Sequence, residues 1–166
     1  MYPNYNIYNP FSVREETDSE IISLTEALQL IRESINEEKK DQSNYEKLIM
    51  MAPNDLQRSV LEMIKEDELK HQRILQEVYY KLMNNSNVNN QINNFNEQGM
   101  NNSFYRQDND YKSKLQESML GEIKAAKKYR RILAAMPDKE SYALLFSIVT
   151  DEMLHATMFS FLVNNL

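Results

Sequence analysis

The chain has no cysteine and no tryptophan, and its 166 residues include only two histidines, two glycines and four prolines. Without cysteine it can build no disulfide, no thiolate zinc site and no cysteine-ligated iron centre. Glycine and proline punctuate turns, so a chain this poor in both, dominated by Leu, Ile, Met, Glu, Lys and Gln, favours helices over strands. A basic excess is also missing. The formal net charge is −6 and no basic stripe occurs, which argues against nucleic acid as a partner. No run approaches the roughly 20 apolar residues of a membrane span. Met1 to Phe11 contains neither Lys nor Arg and no apolar stretch, so it does not read as a secretory leader. The expectation is a single cytoplasmic domain that engages no membrane.

Residues 1–17, rich in Tyr, Asn and Pro, read as a flexible arm ahead of a helical domain over 18–166. Thr17 and Glu20 have the spacing of a capping box, and the pattern predicts a first helix over 18–51. Leu24, Leu28, Ile31, Ile35, Glu38, Gln42, Tyr45 and Ile49 recur at alternating steps of four and three, the seam of a helix in a bundle. Pro53 breaks the chain and Asn54 caps a second helix over 54–83, with the seam Leu61, Ile64, Glu68, His71, Leu75, Val78 and Leu82. Asparagine then fills 11 of the 27 positions from 84 to 110, which reads as a long loop. A third helix is expected over 111–135 (Leu115, Met119, Glu122, Ala126, Tyr129, Leu133). After Pro137 and Asp138 a fourth is expected over 138–166 (Leu145, Ile148, Glu152, His155, Phe159, Leu162, Leu166).

The two halves repeat at a constant offset of 84 residues: Glu38 with Glu122, Tyr45 with Tyr129, Pro53 with Pro137, Asp67 with Asp151, Glu68 with Glu152, and His71 with His155. The chain reads as a duplicated helical hairpin. Glu38 lies 15 residues before Pro53 and Glu68 15 after it, and Glu122 and Glu152 flank Pro137 in the same way. Positions equidistant from the turn of an antiparallel hairpin stand level, here roughly 22 Å from it at about 1.5 Å per residue. Each histidine follows its glutamate by three, on the same helix face.

Two such hairpins packed face to face bring four carboxylates and two imidazoles into one buried layer. Burying even one unpaired ion costs several kcal/mol, so something must compensate. Two divalent cations would balance the four carboxylates, and one imidazole per metal in a carboxylate-rich set suits iron or manganese. A Glu on each of two helices and Glu-x-x-His on the other two is the donor layout of ferritin-like di-metal bundles. The long loop suits that topology, because a short link would force the third helix antiparallel to the second.

Glu, six residues, Tyr, then Glu-x-x-His, present twice, resembles the ferritin-like superfamily and its rubrerythrin branch most closely, over about 18–83 and 111–166. The resemblance implies an all-α antiparallel four-helix bundle with a di-iron site bridged by Glu68 and Glu152. It further implies Glu38 and Glu122 as terminal ligands, one histidine per iron (His71, His155), and oxidation of the reduced pair by peroxide or dioxygen. Rubrerythrins usually carry a rubredoxin domain. This chain lacks the cysteines for one, so electrons would come from a separate donor protein. Many also place another Glu one turn after the third-helix ligand, where this chain has Ala125. A homodimer is expected on the analogy with other ferritin-like bundles.

Around the six ligands, Asp67 and Asp151 read either as acceptors of a histidine ring N–H, including one on the opposite hairpin, or as solvated helix acids. Tyr45 and Tyr129 read as hydrogen-bond donors to a ligand carboxylate, as electron conductors, or as core aromatics. Gly121 either admits a small oxidant or permits a close helix contact. The ten methionines read as core filling. Peroxide reduction in oxidative-stress defence is the leading functional expectation. Oxidation of ferrous iron as a substrate, a manganese-loaded catalase-like site, and a non-enzymatic bundle whose arm and Asn-rich loop do the work are the alternatives.

Overall fold

The computed structural model describes residues 22–85 and 110–166, which form four helices: α1 (Leu24–Met51), α2 (Asp55–Asn85), α3 (Tyr111–Ala134) and α4 (Lys139–Asn164). The segment 1–17, the Thr17–Glu20 pair and nearly all of the Asn-rich stretch lie outside the described residues. The first helix starts later than the pattern predicts. Ser23 is extended and caps α1, its Oγ accepting from the Glu26 N–H at 3.2 Å while the Glu26 carboxylate accepts from the Ser23 N–H at 2.8 Å. Ser-x-x-Glu and Thr-x-x-Glu are equivalent as patterns. Burial of Ile22 in the same apolar cluster as Ala27, a hydrophobic staple across the cap, favours the later one.

The other caps follow the sequence. Asn54 Oδ1 accepts from the Gln57 N–H at 2.9 Å, and Asp138 Oδ1 accepts from the Glu140 and Ser141 N–H groups at 3.1 and 3.0 Å. α2 continues to Asn85, two residues past the expected 83, and α4 stops at Asn164, which leaves Leu166 54% exposed rather than on the seam. Along α1, Ser34 and Leu48 are buried while Ile35 and Ile49 are only partly so. A straight helix of 3.6 residues per turn drifts off a 3.5-residue pattern over its length.

α1 packs on α2 and α3 on α4 along their lengths, with lighter contact between α2 and α4 and between α1 and α3. The hairpins are inverted relative to each other. Lys81, near the end of α2, binds Asp138 and Glu140 beside the second hairpin's turn at 2.8 and 2.6 Å. At the other end, Gln57 beside the first turn donates to the Asn165 carbonyl at 3.2 Å. The end of α2 and the start of α3 therefore lie at opposite ends of the bundle. This is the all-α ferritin-like arrangement. Among the described residues no helix is long and apolar enough to cross a membrane.

The core is in two parts. One apolar cluster gathers Leu28, Ile31, Leu75, Val78, Ile132 and Leu145 with their neighbours, and the other Leu48, Leu61, Ile64, Leu115, Phe159 and Leu162. A polar layer separates them.

Candidate metal centre

That layer consists of Glu38, Glu68, His71, Glu122, Glu152 and His155, none more than 5% exposed. Donor atoms of Glu38, Glu68, His71 and Glu152 all lie within 4.8 Å of one another, and so do those of Glu68, Glu122, Glu152 and His155. Glu68 and Glu152 thus belong to both sets, while Glu38 with His71 and Glu122 with His155 each belong to one. The helical spacing explains the grouping, since α2 and α4 each present a Glu and a His one turn apart, and α1 and α3 each add one Glu at the same level.

The main contacts in the layer come in pairs related by the 84-residue offset. The Tyr45 hydroxyl donates to Glu122, and the Tyr129 hydroxyl to Glu38, each reaching across to the other hairpin. His71 Nδ1 stands 3.1 Å from Glu68 and 3.3 Å from Glu152, with its Nε2 3.2 Å from Asp151 on the opposite hairpin. His155 mirrors this, with Nδ1 3.1 Å from Glu68 and Nε2 3.5 Å from Asp67. The last contact is the looser one, because Lys70 also holds Asp67, at 2.6 Å. Both rings therefore aim Nδ1 at the carboxylates and Nε2 at an aspartate of the other hairpin.

Protonation in the layer follows from burial and crowding. Burial, reinforced by the adjacent Glu68, pushes the Glu38 carboxyl up to about 10, and burial with Glu122 alongside pushes Glu152 up to about 11. Burial works in the same direction on Glu68, but the two histidine rings outweigh it and hold that carboxyl well below the usual carboxylate range. Burial opposes charge on the imidazoles, yet Glu68 and Asp151 lift His71 to about 9, and Glu122 and Glu68 lift His155 to about 10. The tyrosine hydroxyls are raised well above their ordinary value by burial and by the facing carboxylates, so they act as donors.

Even so, the layer does not satisfy itself. Among the described residues, Glu68 Oε1, Glu152 Oε1 and His155 Nδ1 are buried close together, yet none is aligned to make a hydrogen bond. Natural interiors rarely leave such atoms orphaned. Two of them are carboxyl oxygens that, once ionised, only accept and one is a ring nitrogen that, when neutral, can also offer a lone pair, which is the donor chemistry of a cation site. The residues fit a pair of divalent ions.

A cleft of about 600 Å³ opens from the surface between α1 and α3 onto Glu38, Glu68, Glu122 and Glu152. It is where the two halves cease to match, for α1 lines it with Glu37 and Asp41, and α3 with Gly121 and Ala125 at the equivalent positions. A Cβ on Gly121 would meet nothing within 4 Å, so no close helix contact requires a glycine there. Asp41, on the wall of the cleft, is a residue that the sequence pattern does not single out. Burial lifts its carboxyl to about 6, the Asn44 amide opposes, and Glu68 and Glu122 add to the rise. Its one local signal is a position three residues after Glu38, the spacing that links each histidine to its glutamate.

Tyr45→Phe or Tyr129→Phe is expected to weaken metal binding about tenfold or more, because each removes the donor that orients a glutamate across the hairpin interface. Competition against a chromophoric chelator measures this; unchanged affinity would make the tyrosines packing residues only.

Fold and site together define a ferritin-like four-helix bundle whose buried carboxylate–histidine layer could hold two metal ions. The chain belongs to the rubrerythrin family, whose sequence model matches residues 13–163. Neither curated proteins nor solved structures provide a match.

Proposed function

We propose that this chain holds two iron ions in the Glu/His layer and reduces hydrogen peroxide, drawing electrons from a separate donor protein. The carrying observation is the pair of overlapping donor sets with orphaned atoms at their centre. Glu68 and Glu152 would be shared between the ions, Glu38 and Glu122 would end the set, and His71 and His155 would each hold one ion. When bound, the metal pair supplies two electrons at one place, which is what cleavage of a peroxide bond consumes.

The remaining roles fall to the chain itself. Apolar clusters above and below the layer exclude bulk water, and the α1–α3 cleft admits a molecule as small as peroxide or dioxygen. Tyr45 and Tyr129 hold the end carboxylates in place. Forming two waters from peroxide also consumes two protons, and the Asp41 carboxyl in the cleft, partly protonated near neutrality, can pass them inward. We place the chain in the cytoplasm, where reducing carriers are at hand.

One feature favours a second reading, in which ferrous iron is itself the substrate. The four glutamates at the floor of the cleft, with Asp41 and Glu117 on its wall, would draw a cation inward past Lys47, Lys114, Lys124 and Lys128, the last of which pairs with Glu37. Anaerobically purified, iron-loaded protein given peroxide and a reductant tests the two. Steady peroxide consumption that needs the reductant and is lost in His71→Ala supports peroxide reduction. Iron oxidation without peroxide turnover supports the second reading. Turnover without any reductant would point to manganese-type dismutation.

A further inference from the structure

We infer that Lys70 is a positioning residue that weakens His155 as a ligand and makes the His71 side the tighter of the two metal positions. This rests on the reading of the Glu/His layer as a two-ion centre, and not on which oxidant the centre meets. The six ligands repeat at the 84-residue offset, and so do the aspartates behind the rings. The residue just before each histidine does not. Lys70 precedes His71 on α2, whereas Leu154 precedes His155 on α4. Both side chains lie on the surface, so neither is required by the core.

The rings differ accordingly. The Lys70 ammonium takes Asp67 Oδ1 at 2.6 Å and leaves Oδ2 at 3.5 Å from His155 Nε2. Neither ring nitrogen of His155 is aligned for a hydrogen bond, although the residue is fully buried. His71, at the matching place in the other half, keeps a partner on both sides. Its Nε2 lies 3.2 Å from Asp151 and its Nδ1 3.1 Å from Glu68. Among the described residues, Asp151 forms an ion pair with that ring and with no lysine or arginine. Lys70 acts on Asp151 only from beyond ion-pair distance.

An aspartate that accepts a ring N–H fixes the tautomer, holds the ring in place and makes the opposite nitrogen a stronger donor to a metal. Both rings turn Nδ1 to the carboxylates, so the N–H belongs on Nε2. Asp151 can accept it from His71. Asp67 supports His155 less, because its charge is shared with an ammonium and its free oxygen stands off the ring. Glu68 and Glu152 serve both positions alike, which leaves the difference to the histidines. Loss of such a support typically costs about 10–100-fold in affinity. Solvent screens Lys70, whose side chain is 63% exposed, and so sets the difference at the low end, about tenfold. The His155 position is then the one that exchanges its ion more readily.

Zinc titration of the full chain carrying ¹⁵N-labelled histidine, followed by NMR of the ring nitrogens, tests this. The chain has two histidines, so each ring is read separately once His71→Ala has assigned the signals. At one equivalent of zinc, a tenfold preference puts about nine in ten of the bound ions beside His71. The His155 ring should respond mainly to the second equivalent. Lys70→Leu should bring the two rings to about equal shares, and Lys70→Leu combined with Leu154→Lys should make His155 respond first. The cleft walls also differ between the halves, but these substitutions leave them untouched. The single variant decides the matter even if the double one folds poorly. Rings that respond together in the native chain, His155 responding first there, or an order that neither variant alters would overturn the inference. If neither ring responds to zinc at all, the layer is no metal centre, and the reading beneath this inference falls with it.

Discussion

Glu68→Ala is expected to lose both metal ions, and peroxide turnover with them, by a factor of about a hundred or more in affinity. Glu68 belongs to both donor sets, so its removal strips a ligand from each ion at once. It also leaves the Nδ1 atoms of His71 and His155, which approach it at 3.1 Å, facing a void. Loss of a group that merely orients a ligand typically costs about 10–100-fold, and loss of a shared ligand should exceed that. Glu38→Ala provides the contrast, since Glu38 belongs to one set only and the variant should keep one ion per chain. Elemental analysis after dialysis, with circular dichroism to verify the fold, separates the two variants. Equal metal content in both would refute the assignment of Glu68 as the shared position.

The second large effect is in the pH dependence of stability, which should reverse on metal loading. In the metal-free chain, Glu38, Glu152, His71 and His155 all bind protons more tightly than their ordinary values of 4.5 and 6.5, at about 10, 11, 9 and 10. The folded state then holds more protons than the unfolded one across neutrality. The stability these protonated groups provide is complete below the ordinary values and is lost as pH rises towards the folded ones. Glu68 has the opposite sign, and its contribution is lost only as pH falls below about 4.5. The metal-free protein should therefore melt at lower temperature at about pH 9 than at about pH 6.

Cations reverse this because they replace the protons. Loading near neutral pH should release up to about four protons per chain, countable in a pH-stat, and metal affinity should climb with pH. At a metal concentration of about a hundred times Kd, each site contributes about 2.7 kcal/mol, so two raise the melting temperature by roughly 10–20 °C for a domain of this size. A metal-free melting temperature that is flat with pH, or loading without proton release, would show that the layer does not titrate as its burial dictates.

Legibility in the sequence differs residue by residue. The seam of α2 is legible along its whole length, because Leu61 to Leu82 face two packed neighbours and their period carries through. The start of α1 is not, since Thr17–Glu20 and Ser23–Glu26 are equivalent as local patterns and only the burial of Ile22 favours the second. Asp41 stays hidden because its one local signal, a position three residues after Glu38, does not tell a half-buried acid from a solvated one. Its environment is made by α3, which is distant in sequence.

The order of residues was enough to specify the helices, the duplicated hairpin and the level at which four glutamates and two histidines meet. All of these rest on helical rise and equal distances from Pro53 and Pro137, which act over short stretches of chain. Three-dimensional packing was needed for the inversion of one hairpin against the other and for the pairing of Tyr45 with Glu122 and Tyr129 with Glu38. It was needed too for the choice of ring nitrogen that faces the carboxylates and for the cleft between α1 and α3. Those depend on the rotation and stacking of helices about one another, and the period of a single helix carries no information about that.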